Sequence, residues 1–346
     1  CWTAKYRMYP FCKYLEGTGR FRFTYCPLPW EYEGLVKLPR YRRALAMLKR
    51  ILQILLSKTY DVMIVNRQLF PSGPDLMEDL LESINRPLVF DFDDAVFTLP
   101  LHFRPKNWNL DPVLVRELRK VPRVISISSY VTAGNDYLRD YALTYNKRVE
   151  VVPNAIDTKR FKPRPTETEA RSSERTVIGW LGTSGNLYYL KQIEPALQKL
   201  SKRYPITLRV VCSSEFSMKG VPVKTIQWNE STEVEELSSF DIGITPLTDD
   251  EWTRGKCSLK LLKYMSVGIP TVASPVGFNN RVISDGDNGF LARTQEEWYE
   301  KLSILIEDYQ LRLQFSKNAR RTIEEEYSHD IVIPKFGMVL EKACFD

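Results

Sequence analysis

Three stretches of the chain hold residue types at spacings that could do chemistry. Residues 90–95 read Phe-Asp-Phe-Asp-Asp-Ala, at the end of an apolar run. Carboxylates gathered there repel one another and raise a pKa, which suits a proton acceptor, a hydroxyl-binding pair or a Mg²⁺ site. A helix N-cap would explain one aspartate but not three. Residues 254–265 read Arg-Gly-Lys-Cys-Ser-Leu-Lys-Leu-Leu-Lys-Tyr-Met. As a helix, they place Lys256, Lys260 and Lys263 on one face, at i, i+4 and i+7. Cations at a helix start oppose the macrodipole by about 0.3–1 kcal/mol, and an anionic ligand would reverse that sign. The competing reading is a solvated basic face. Residues 179–186 read Gly-Trp-Leu-Gly-Thr-Ser-Gly-Asn, after an apolar run and before a helix-length stretch. Small residues let backbone N–H groups approach a phosphate at a helix start. The loop is neither G-x-G-x-x-G nor G-x-x-x-x-G-K-[ST], so a dinucleotide fold and a P-loop both lose support. An ordinary tight turn explains it equally well.

These residues need elements to position them. From Asp61, short apolar runs alternate with helix-length stretches. Strands are predicted at 61–65, 88–92, 123–127 and 149–152, with helices at 75–84 and 112–120. Such alternation predicts a parallel sheet covered on both faces. Residues 154–175 are polar, hold two prolines and lack apolar periodicity, as a linker does. A second series follows, with strands at 176–180, 207–212, 223–227, 240–244 and 270–274. Its helices lie near 187–203, 232–238, 257–267 and 295–308. Residues 309–346 read as helical, with an interruption around Ser328–Pro334. The fold class is α/β, with two Rossmann-like, doubly wound domains facing each other across a cleft. The expected organisation is an N-terminal domain at 1–155, a linker at 156–175, a C-terminal domain at 176–327 and a helix at 328–346 returning to the first domain. In such sheets ligands bind beyond the carboxyl ends of the strands. The chain starts at Cys1 without an opening strand, so a first strand is expected to be missing.

Composition narrows the classes. The chain has 346 residues, a formal charge of +6, six cysteines and two histidines. A core of ordinary size is affordable at that length and at 43% hydrophobic residues. Two histidines, His102 and His329, argue against a multi-His metal site and read as structural. No cysteine pair has zinc-ligand spacing, so the thiols are expected to be free, in a reducing compartment. No uncharged apolar run is long enough to span a bilayer. Residues 1–60 hold twelve Lys/Arg and three Asp/Glu, a net of +9. Part of that excess lies in residues 40–58, RYRRALAMLKRILQILLSK. Leu45, Leu48, Leu52 and Leu55 follow helical spacing and are expected to pack on the first sheet. The basic side suits anionic lipid head groups better than nucleic acid.

At this point the sequence resembles a known family. VVPNAIDTKRF (151–161), DIGITPL (241–247) and GKCSLKLLKYMSVGIPTVASPVGFNNRVISDGDNGFLA (255–292) are similar to motifs of GT-B glycosyltransferases of family 4. The resemblance covers nearly the whole chain. It implies a retaining glycosyltransferase that moves a sugar from a nucleotide-diphosphate sugar to a glycan or lipid-linked acceptor. It implies no bound metal and no cofactor besides the donor, whose base (UDP or GDP) stays open. By that similarity Gly182, Thr183, Ser184, Gly185, Asn186, Arg254, Lys256, Lys260 and Lys263 bind the donor. Tyr6, Arg7, Arg67 and Asp91 are assigned to the acceptor, and Asp93 and Asp94 to catalysis. The implied location is cytoplasmic, peripheral at the inner face of the membrane. One departure stands out. The family usually has two glutamates eight positions apart, where this chain has Gly255 and Lys263. Asp249, Asp250 or Glu251 could replace the missing acid. A non-catalytic GT-B protein that binds glycan or a partner, or a nucleotide-sugar epimerase on the same fold, are the alternatives.

Overall fold

The computed structural model describes residues 4–27, 39–69, 75–84, 87–100, 112–163 and 175–345. His102 and most of the expected linker lie outside them. The chain divides into two compact units. The first comprises residues 1–154, 255–257 and 332–346, and the second residues 155–254 and 258–331.

In the first unit a π-helical turn (Ala4–Met8) leads into α1 (Tyr9–Gly17) and, later, α2 (Arg40–Leu56). Then β1 (Met63–Asn66), α3 (Leu76–Ile84), β2 (Leu88–Phe92), α4 (Pro112–Ile127), β3 (Tyr130–Ala133), α5 (Asp136–Leu143) and β4 (Val149–Val151) alternate. The strands form a parallel sheet in the order β1-β2-β3-β4. β2 is buried along its whole length, as its continuous apolar run requires. The strand expected at 123–127 is the last part of α4 instead, and the third strand begins at Tyr130. The reason is periodicity: Val121, Val124 and Ile125 are buried at i, i+3 and i+4, a helical stripe that a short β-branched run imitates. Asn135 starts α5 by accepting a hydrogen bond from the Leu138 N–H, at 2.9 Å.

The second unit runs β5 (Thr176–Leu181), α6 (Leu187–Lys191), α7 (Glu194–Arg203), β6 (Ile206–Cys212), β7 (Val223–Gln227), α8 (Glu233–Ser238) and β8 (Ile242–Thr245). It continues through α9 (Glu251–Arg254), α10 (Leu259–Ser266), β9 (Thr271–Ala273), α11 (Asn279–Val282), β10 (Phe290–Leu291), α12 (Gln295–Glu307) and α13 (Tyr309–Thr322). The sheet is parallel, in the order β10-β9-β8-β5-β6-β7. Strand β5 shows why both faces are covered. Its Ile178 and Trp180 join one apolar cluster with Leu197, Leu208 and Trp298. Its Val177 and Leu181 join another with Phe240, Leu261 and Tyr264, so alternate residues feed opposite faces. Residues expected to open the linker are packed here: Ile156 is bridged to Ser328, and Phe161 is buried. The C-terminal helix α14 spans His329–Phe345 with Pro334 inside it, so the helical path breaks at Ser328 and not at the proline. From Val332 onward this helix groups with the first unit.

Among the described residues no helix is long and apolar enough to cross a membrane. Cys12, Cys212 and Cys257 are buried free thiols, and Cys26 and Cys344 are exposed ones.

Candidate functional site

In the second sheet the connection order reverses between β5 and β8, since β5 is followed in space by β6 on one side and β8 on the other. The crevice beyond the carboxyl ends of those two strands is where such sheets hold ligands. The loop after β5 is Gly182–Asn186. Thr183, Ser184 and Gly185 are exposed, and Ser184–Asn186 form one 3₁₀ turn. The Gly182 N–H donates to the Val211 carbonyl at 3.1 Å. Gly182 has to be small: a Cβ there would lie 2.5 Å from the Trp180 ring and 3.0 Å from Lys260 Nζ. Lys260 therefore stands beside this loop, with its ammonium 4.2 Å from the centre of the Trp180 ring. The structure thus brings Gly182 and Lys260 together across 78 residues of sequence.

The other basic residues are placed differently. Lys256 does not share a helical face with Lys260. The helix α10 starts only at Leu259, after Ser258 turns the chain with a left-handed φ of 49°. Lys256 groups with the first unit, where its carbonyl accepts from Asn135 Nδ2 at 3.1 Å. Lys263 lies on α10 but is buried, with Nζ 2.7 Å from Glu233 Oε1. Burial lowers its pKa, and Glu233 opposes that shift. Arg254 ends α9 and forms a forked pair with the exposed Asp249, with Nε 2.7 Å from Oδ1. That pair holds the Asp249 carboxyl below its usual range. Asp250 is a turn residue: its carboxylate accepts from the Thr253 N–H at 3.0 Å and from the Thr248 hydroxyl at 2.8 Å.

Five residues that build this edge were given no role from sequence. The Tyr264 hydroxyl accepts the Leu181 N–H at 2.7 Å, just before the glycine loop. The Ser258 hydroxyl donates to Asn279 Oδ1 at 2.6 Å, and Asn279 Nδ2 donates to the Ser274 carbonyl at 2.9 Å. Ser274 Oγ accepts the Leu247 N–H at 2.9 Å, so the loops after β8 and β9 are tied together. Gly277, with φ of 52°, lets the second loop approach: a Cβ there would lie 2.7 Å from the Arg254 carbonyl. The only sequence signal for Ser274, Gly277 and Asn279 was the run of small and amide residues SPVGFNN (274–280).

The acidic strand end of the first unit separates into two groups. Asp91 is fully buried and paired with the equally buried Arg7, with Nη2 2.7 Å from Oδ1. It also accepts from the Thr132 hydroxyl at 2.6 Å and from Asn66 Nδ2 at 2.8 Å. Arg7 completes its guanidinium on the carbonyls of Val152 and Pro153 and on Asn154. The acceptor-binding expectation for Arg7 and Asp91 gives way here. Both are enclosed, and their hydrogen-bonding groups are spent on each other and on the fold. Asp93 and Asp94 share a different arginine. Arg67 Nε donates to Asp93 Oδ1 at 3.1 Å, and Nη2 donates to Asp94. Arg67 adopts a left-handed φ of 62°, and its N–H donates to the Asp91 carbonyl at 2.8 Å. Burial pushes the Asp94 carboxyl upward, Arg67 pulls against it, and Asp93 adds to the rise. Tyr6 lies half-buried in the π-helical turn before Arg7. Such a carboxyl pair, held by one cation and still partly open, can hold a hydroxyl or take its proton.

Residues 176–308 match the family model described as glycosyl transferases group 1. This part of the chain is thus similar to a group 1 glycosyltransferase domain. The matched residues form the sheet β5–β10 with its glycine loop and α10. The chain is 22% identical over 303 residues to spore coat protein SA of Bacillus subtilis (strain 168), covering 76% of this chain and 78% of that one. Its fold matches HepE from Anabaena, solved in complex with UDP and glucose, with a TM-score of 0.64. That match is 16% identical and covers 86% of this chain and 83% of that one. Sucrose-phosphate synthase from Thermosynechococcus elongatus matches with a TM-score of 0.64 at 13% identity, over 93% of this chain and 82% of that one. Two parallel sheets with flanking helices, as in these solved structures, are the GT-B fold.

Proposed function

We propose that this chain transfers a sugar from a nucleotide-diphosphate sugar to a glycan or lipid-linked acceptor, with retention at the anomeric carbon. The observation that carries the reading is Lys260 beside the exposed Thr183–Gly185 loop, at the point where the strand order reverses. Backbone N–H groups and one ammonium are what a diphosphate asks for. The same groups would stabilise the charge that develops as the diphosphate departs. HepE, whose fold this chain shares, has been solved with UDP-glucose, which makes a uridine donor the first to test. Asp93 and Asp94 would meet the acceptor hydroxyl, and peripheral attachment to an anionic membrane would bring a lipid-linked acceptor within reach.

The test is isothermal calorimetry with UDP and GDP, followed by a screen of nucleotide sugars for released diphosphate. Lys260→Ala should weaken binding by about 1.5–3 kcal/mol, roughly ten- to hundredfold, because a charge-assisted hydrogen bond is lost. Thermal stability should change little. If neither nucleotide binds the folded protein, the donor reading fails.

A second reading has its own observation. Where the family resemblance leads one to expect two glutamates, Gly255 has no room, since a Cβ would lie 2.5 Å from Ala95 Cβ, and Lys263 is locked on Glu233. A GT-B protein that binds glycan without turning over a donor fits that pattern. Turnover of any nucleotide sugar in the screen removes it.

A further inference from the structure

Helix α2 is apolar on two opposite sides. One side packs into the first unit through Ala46 and Ile54, which are 6% and 2% exposed. On that same side Arg50 turns inward, donating to the Cys26 carbonyl at 2.9 Å. At about 100° per residue, Leu45, Leu48, Leu52, Leu55 and Leu56 fall roughly opposite these residues. They are not packed on the sheet, as their spacing had suggested. They are 62%, 54%, 51%, 42% and 62% exposed. Tyr41, on the same stripe, is 62% exposed. A contiguous row of open leucines needs an explanation, unlike scattered apolar residues on a surface.

The charges beside the row say what covers it. Residues 40–56 contain five Lys/Arg and no Asp/Glu. Arg42 and Lys49 are exposed and flank the leucines on one edge. A second copy of the helix would bring the same cations against these, so self-association along this face is opposed by like charge. An anionic bilayer fits both features. Its head groups attract the cations within a Debye length, and its acyl boundary takes the leucines. Lysine and arginine stems reach back to the head-group level while the row beside them is immersed.

We infer that α2 is an in-plane membrane-docking helix, which seats the first unit on a lipid surface rich in anionic head groups. The inference rests on the peripheral-membrane part of the proposed function, and its test reads lipid binding rather than transfer.

The full chain is sedimented with vesicles of pure phosphatidylcholine and with vesicles containing phosphatidylglycerol. Binding is expected to the second and to be reduced in high salt. The exposed double variant Leu48→Glu/Leu52→Glu should lose tenfold or more of its partitioning, by about the burial of two leucine side chains. Arg42→Gln/Lys49→Gln should lose about tenfold or more on anionic vesicles only, at roughly fivefold per cation. Circular dichroism and UDP calorimetry are measured on each variant. Unchanged folding and nucleotide binding keep a docking defect separate from a failed donor site. Three results would overturn the inference. The first is absence of binding to anionic vesicles. The second is equal binding of the leucine variant. The third is a concentration-dependent dimer in sedimentation velocity that the leucine variant abolishes.

Discussion

All five N–H groups of Arg7 have acceptors, and Asp91 supplies two of its oxygens to them while accepting from Thr132 and Asn66 as well. Taking one partner away strands a buried charge. Asp91→Asn should therefore cost about 3–5 kcal/mol in urea unfolding, and a loss below about 1 kcal/mol would show the pair to be solvated. In the sequence Asp91 looked like Asp93 and Asp94, because nothing local marks a partner 84 residues away. The strand end was legible, and the division of labour within it was not. Asp94 differs by keeping its carboxyl partly open beside Arg67 and Asp93, with its pKa raised by burial. The folded state then holds that proton more tightly than the unfolded chain. As the pH rises above 3.8, the ordinary value, Asp94 becomes a growing penalty until its folded pKa is passed. Asp94→Asn should remove that fall in stability, measured by denaturation across acid pH. If Asp94 accepts the acceptor's proton, the same change should lower turnover by about 10²–10⁴-fold with nucleotide affinity intact. Lost nucleotide affinity would contradict the acceptor assignment.

At the scale of elements, five of the second unit's six strands were legible to within two residues, because apolar runs bounded by polar turns leave little freedom of register, while the two-residue edge strand β10 was not expected. The lysine helix was not. A 3.6-residue count through residues 254–265 assumes unbroken helix, but α9 ends just before Gly255, and Ser258, not itself a glycine, breaks the path again with a left-handed turn. What places α10 is contact. Gly179 and Gly243 face each other in register on β5 and β8. A Cβ on Gly243 would lie 2.6 Å from the Tyr264 ring, and one on Gly179 would lie 2.0 Å from Phe240. These two rings meet edge to face, with centroids 5.9 Å apart. Bare backbone on the sheet thus lets α10 approach closely enough for the Tyr264 hydroxyl to reach the Leu181 N–H. Lys260, one turn earlier, is thereby set beside Gly182. Tyr264→Phe keeps the ring but strands that buried N–H, at a cost of about 1–3 kcal/mol. It should also weaken UDP binding several-fold by loosening the loop. A variant that loses stability and keeps full nucleotide affinity would show that Tyr264 serves the core alone.

For the whole molecule, the charge has two addresses. The first 60 residues carry a net +9, part of it on α2, while the remaining 286 carry a net −3. The site proposed for the diphosphate therefore relies on Lys260 and backbone N–H groups at one sheet edge, and not on a broad positive field. Ligand binding should then act locally on stability. Each unit has its own sheet and its own buried residues, so the chain is not expected to melt as a single two-state body. A nucleotide that binds the loop after β5 stabilises only the unit that contains it. At a hundred times its dissociation constant the gain is about 2.7 kcal/mol. Scanning calorimetry with saturating UDP should raise one component of the melting profile and leave the other in place. Lys260→Ala should reduce the shift without moving the unliganded profile. Equal upward shifts of both components would mean that the nucleotide's grip is shared by both units, and Lys260 with its loop would no longer account for the site alone.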